Sequence, residues 1–161
     1  MRSMAIMGAA DAKSTKNDNE WYRIVMPALL HAHFEHISGN VTFQLIIGSG
    51  IEYGIGWWRM AILYILSEIG GVMLAITFHP EQYGVGASCA GYGLIGFLGA
   101  YLFTNFAFMS RTNFWQIVYV WSVSTIFVLL NQQLSLNWES HNIGHQGGLV
   151  TGFLIGLAIC E

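Results

Sequence analysis

Apolar residues in this chain run together over lengths that suit membrane-spanning helices, with short polar interruptions between them. Crossing a bilayer as a helix takes about 20 mostly apolar residues. Residues 60–78, 87–108, 114–130 and 143–160 each approach that length; the first carries one charge, Glu68, and the second is rich in glycine and other small residues. The stretch from Pro27 to Ile51 is less uniform. It holds His31, His33, Glu35, His36, Asn40 and Gln44 before the chain turns apolar again. Its second half, about 36–51, is read as a helix with a polar stripe facing inward. The predicted connections are 52–59, 79–86, 109–113 and 131–142, rich in turn formers or polar residues. The pattern predicts an all-α membrane protein, a helical bundle with about five transmembrane helices. Residues 1–19 are expected to be a polar, solvated tail leading into an interface loop, and 20–161 a single membrane domain.

Composition strengthens this picture. Of 161 residues, 54% are hydrophobic and only 9% charged, with a mean hydropathy of +0.50. A soluble domain carries about a quarter charged residues. The net charge of -3 is unclustered, so nothing points to nucleic acid. Cys89 and Cys160 both lie in apolar runs, and no disulfide framework is expected. Residues 1–10 are too short for the apolar core of a signal peptide, and residues 11–20 turn polar. Tryptophans 21, 57, 58, 115 and 138 stand near predicted span ends, as an interfacial belt would; Trp121 is expected to pack within its helix.

Polar residues inside apolar runs are costly and usually face a bundle interior or a water-filled cavity. Here they gather at His31 to Gln44, Ser88 to Tyr92 and His141 to Gln146. Hydrogen bonding between helices is the alternative explanation, and a serine opening a helix is also a common N-cap. Two small-residue faces suggest more. Gly148, Gly152 and Gly156 recur every four residues, on the face shared by His145. Ser88, Tyr92, Gly96 and Ala100 repeat at the same interval. Packing these faces together would bring Ser88 beside His145, with Tyr92 one turn below and able to stack on the imidazole. A serine hydroxyl needs a base to become a nucleophile, and a neutral histidine suits that role. His36 and Asn40, at i and i+4, and the Ser88 backbone N–H offer donors for an oxyanion.

Three stretches in this order resemble the rhomboid intramembrane serine proteases. They are Glu20-Trp21-Tyr22-Arg23 with His31 eight residues after the arginine, His31-x4-His36-x3-Asn40, and Gly86-x-Ser88 with Tyr92, paired with Gly144-His145-x2-Gly148-x3-Gly152. The resemblance covers roughly residues 8–160. It implies that Ser88 and His145 form a catalytic dyad, that His36 and Asn40 line the oxyanion hole, and that Tyr92, Gly86 and His31 support them. It places Tyr22 and Arg23 in a membrane-interface loop with a structural role. The implied substrates are transmembrane segments of other proteins, cleaved through an acyl-enzyme. The lipid bilayer is the other partner, and no cofactor or metal is implied.

Three departures stand out. Cys89 follows the serine where the family usually has glycine, and is expected to crowd the active-site face. Glu68 occupies a position where a small residue is usual. The family also has a membrane helix ahead of the interface loop, whereas only Met1 to Met7 precede Gly8-Ala9; a fragment, an incomplete gene model, a shortened form and a separate helix completing the fold are the alternatives this leaves open. Arg59 and Arg111 predict that their loops are cytoplasmic, whereas Lys13, Lys16 and Arg23 oppose that orientation unless a preceding helix sets it. Two rivals remain: a catalytically inactive rhomboid-like protein that binds membrane-protein clients, and a haem or metal protein using the crowded His31, His33 and His36. Cys/His metal spacing is absent, and His33, His79 and His141 receive no role.

Overall fold

The computed structural model describes residues 2–133 and 138–160, with side chains described except at positions 2, 127–133 and 138–141. The chain is all-α. Short helices α1 (Arg2–Met7) and α2 (Ala12–Asn17) lead through two 3₁₀ turns, Trp21–Ile24 and Met26–Leu29, to α3 (Phe34–Phe43). A π-helical segment, Gln44–Gly48, joins α3 to α4 (Ser49–Ile55). Then come α5 (Trp57–Phe78), α6 (Ser88–Asn105), α7 (Arg111–Gln133) and α8 (Trp138–Ile159).

The polar segment makes a longer helix than its second half alone predicts. Phe43, Gln44, Gly48 and Ser49 all keep right-handed helical dihedrals, so α3, the π turn and α4 form one continuous rod from Phe34 to Ile55. At 1.5 Å per residue that rod is about 33 Å long. The predicted 52–59 connection is consequently wrong: Glu52, Tyr53 and Gly54 are helical, and Gly56 alone turns the chain. Its φ of +85° is a conformation that favours glycine. The middle of the predicted 131–142 connection, and the side chains of Trp138, Glu139 and His141, lie outside the described residues.

Helices α5, α6 and α8 form the heart of the bundle. Helix α6 is the buried one: Ala90, Leu94, Ile95, Phe97, Leu98 and Ala100 are each at most 9% exposed. Its partners approach closely because the contact is made by glycine. A Cβ on Gly148 would strike the Cys89 backbone, and one on Gly152 the Gly93 backbone. The register differs slightly from expectation. The α6 residues that meet the glycines of α8 include Cys89, Gly93 and Ala100, Gly96 abuts the backbone of Leu149 and Phe153, and Ser88 and Tyr92 flank this stripe. Contacts advance together along α6 and α8, so these helices are parallel; α5 runs against them, with Ala75 near Gly144 and Gly70 near Thr151.

Among the described residues one helix, Trp57–Phe78, is long and apolar enough to cross a membrane by length and composition, with a hydropathy of 1.9. Large apolar side chains are widely exposed, including Phe34, Leu45, Ile46, Trp57, Phe103 and Tyr119.

The expected solvated tail is corrected. Ala9, Ala10 and Thr15 are buried, and Ala10 pairs with Gly84 through two backbone hydrogen bonds of 2.9 and 3.1 Å. Asp11 caps α2 by accepting from the Lys13 and Ser14 N–H groups. Buried Arg23 ties the segment down: Nε donates to Glu20 at 2.5 Å, and Nη1 donates to the carbonyls of Ala5 and Ala9 at 2.7 and 3.0 Å. The polarity of residues 11–20 satisfies these local contacts.

Candidate active site

Helix α6 begins at Ser88, and the preceding residue, Ala87, supplies no side-chain cap. The serine does not cap the helix either. Its Oγ lies 2.7 Å from Nε2 of His145, although 57 positions separate the two residues. With Oγ donating to Nε2, the neutral imidazole carries its proton on Nδ1. The Tyr92 ring stacks on His145, with centroids 4.2 Å apart and planes only 6° from parallel. That stack fixes the imidazole plane. His145 is 9% exposed, and Ser88 is half-buried.

Two residues before the serine, Gly86 holds φ at +119° while its N–H donates to the Pro27 carbonyl at 2.8 Å. A side chain there would be strained and would also collide with the His36 ring, with the Asn40 amide close behind. His36 and Asn40 thus border the loop that carries Ser88. Asn40 Nδ2 is buried with no hydrogen-bond partner among the described residues. A shielded donor without an acceptor is costly in a resting protein, and such a donor fits an incoming anionic oxygen.

His31 stands behind His36, with ring centroids 5.0 Å apart in an edge-on arrangement. Burial pulls the His31 pKa below its ordinary 6.5, and both ring nitrogens are buried with no hydrogen-bond partner among the described residues. His33, for which no role was predicted, caps α3: its Nδ1 accepts the His36 N–H at 3.2 Å. Histidine is not among the favoured N-cap residues, so composition carried no signal of it. Tyr22 and Arg23 lie away from the serine and brace the N-terminal segment, with the guanidinium 5.4 Å from the Tyr22 ring centroid.

Beside Ser88 and His145 lies a cavity of about 50 Å³, lined also by Glu68, Val72, His79 and Gln82. About 10–15 Å³ suffices for a water molecule, so the space is large enough to admit water. Two departures from the family pattern find their places here. Cys89 does not crowd the serine, because its side chain turns into the space left by Gly71 of α5 and Gly144 of α8. Glu68 is 1% exposed, and its Oε2 accepts the Ala90 N–H at 3.0 Å.

Comparison with known proteins identifies the family. A family model described as the rhomboid domain matches residues 18–161. The chain is 30% identical over 157 residues to RHOMBOID-like protein 4 of Arabidopsis thaliana, covering 98% of this chain and 39% of that relative. It is 30% identical to rhomboid-type serine protease 2 of Emericella nidulans, covering 94% of this chain and 29% of the relative. It is 36% identical to rhomboid-like protease 1 of Toxoplasma gondii, covering 84% and 46% respectively. The chain therefore spans less than half the length of these three relatives. With the domain match extending over most of its length, the chain belongs to the rhomboid family of membrane-embedded proteins.

Proposed function

We propose that this chain is a serine endopeptidase that cleaves transmembrane segments within the bilayer, with Ser88 as nucleophile and His145 as general base. The observation that carries the reading is the 2.7 Å Ser88–His145 contact beneath a stacked tyrosine. The rod from Phe34 to Ile55 and helices α5 to α8 are the five membrane crossings of this reading.

The chemistry follows from the contacts. His145 Nε2 takes the Ser88 proton as Oγ attacks the substrate carbonyl carbon. The carbonyl oxygen becomes an oxyanion, for which the Asn40 amide, the His36 ring and the Ser88 N–H serve as donors in this reading. Collapse of the tetrahedral intermediate breaks the C–N bond, and His145 returns the proton to the leaving amine. Water from the adjacent cavity then attacks the acyl-enzyme, with His145 again as base. A substrate helix must unwind locally first, because an intact helix engages its carbonyls in hydrogen bonds.

Labelling of the detergent-solubilised chain with a serine-reactive fluorophosphonate tests the reading. Labelling of the wild type that disappears in Ser88→Ala and His145→Ala is the expected result. A folded wild type that takes up no label would make the chain a client-binding, inactive relative instead.

A further inference from the structure

We propose that Glu68 is a positioning residue of this centre: its carboxylate, reaching from α5, clamps the first turn of α6 and thereby fixes Ser88 against His145. The inference rests on reading Ser88 and His145 as nucleophile and base.

The first N–H groups of any helix lack intrahelical acceptors. In α6 the usual solution is missing, since Ala87 has no capping side chain and the Ser88 hydroxyl is committed to His145. The acceptor comes instead from another helix, 22 positions earlier in the chain: Glu68 Oε2 takes the Ala90 N–H at 3.0 Å. Ala90 lies two residues beyond the serine, within the same turn. Holding its N–H fixes the rotation of that turn, and with it the direction in which the Ser88 side chain leaves the backbone.

Packing alone does not account for Glu68. A carboxyl group is expensive to bury, and an apolar side chain of similar volume would fill the same space at lower cost. Glu68 is 1% exposed, and its Oε1 is buried with no partner among the described residues. The side chain also lines the cavity shared by Ser88 and His145. It bonds no reacting atom, so its effect passes through the helix start. That route is sensitive, since a displacement of about 1 Å at a reacting group can cost on the order of 10²-fold in rate.

Two variants of the full chain in detergent separate clamping from filling. Glu68→Gln keeps an acceptor oxygen, and Glu68→Met keeps the volume without one. Two readouts apply: backbone hydrogen exchange across residues 86–92, and the saturating rate of fluorophosphonate labelling per folded molecule. In Glu68→Met, exchange at the helix start is expected to rise, and labelling to slow, by about tenfold or more, with Glu68→Gln within about threefold of wild type on both. Folded Glu68→Met behaving as wild type overturns the proposal, as does Glu68→Gln failing as badly as Glu68→Met. The wild type tests the clamp even where Glu68→Met does not fold. Its Ala90 amide should exchange as slowly as the interior of α6, and exchange as fast as the 79–86 loop overturns the clamp. An unlabelled wild type with a protected Ala90 amide would instead refute the nucleophile reading and leave the clamp standing.

Discussion

Asn40 and Gly86 meet beside the serine, and each makes a separable demand. The Asn40 amide is a buried donor with no acceptor among the described residues. Losing one oxyanion donor typically costs about 10²–10³ in rate. Asn40→Ala should therefore slow saturating fluorophosphonate labelling by about 10²-fold while leaving the half-saturating concentration nearly unchanged. A raised half-saturating concentration with an unchanged saturating rate would mean that Asn40 serves binding rather than the oxyanion. Gly86→Ala faces two penalties, a positive φ and a collision with the His36 ring. It should lower the stability of the purified protein by about 1–3 kcal/mol, measured as unfolding in detergent. At this scale the sequence was most informative about residue types: serine, histidine, asparagine and tyrosine at helical spacings. It was silent on His33 as a cap and on Glu68 as an acceptor, because both roles depend on which N–H lies within reach.

Between elements, the decisive contact is the glycine-lined approach of α6 and α8. Gly152 faces the Gly93 backbone with no room for a Cβ. Gly152→Leu should force the helices apart, separating Ser88 from His145 and abolishing labelling even in protein that remains helical by circular dichroism. Retained labelling would mean that the pair does not depend on this interface. The N-terminal segment makes a second coupling. Ala10 pairs with Gly84 only four residues before the serine. Ala10→Pro removes the N–H that donates to Gly84, and should raise hydrogen exchange across the 79–86 loop. The apolar runs announced α5 to α8. The rod through the π turn was less legible, because its polar stripe lowers its hydropathy although helical dihedrals continue throughout.

On the scale of the whole molecule, His31 and Asp11 link stability to pH. Burial lowers the His31 pKa below 6.5 in the folded chain. The unfolded chain therefore binds more protons near that value, and stability falls as pH drops through it. Burial raises the Asp11 carboxyl, but hydrogen bonds from Ser14 and Lys13 outweigh this and hold its pKa below 3.8, so its contribution is lost only in stronger acid. The thermal midpoint in detergent should thus decline between pH 8 and 5.5, and decline less in His31→Gln. Equal slopes would remove His31 as the source. Arg23, with three hydrogen bonds from one guanidinium, should not be replaceable by lysine without loosening residues 5–9.

Helical class, an apolar character suited to a membrane and the spacing of polar residues along each helix are all local properties, and sequence by itself determined them. Apolar run length and i, i+4 spacing report what lies on one helix and on which face. Pairing across the bundle is not local. Ser88 and His145 meet over 57 positions because small residues on two parallel helices permit close approach. The register of that approach, the side to which Cys89 turns and the reach of Glu68 to Ala90 follow from the depth of the packed helices, which periodicity along a single chain does not encode. Tertiary structure also converted an apparently solvated tail into a brace, since a polar segment reads alike whether its partners are water or carbonyl groups of its own backbone.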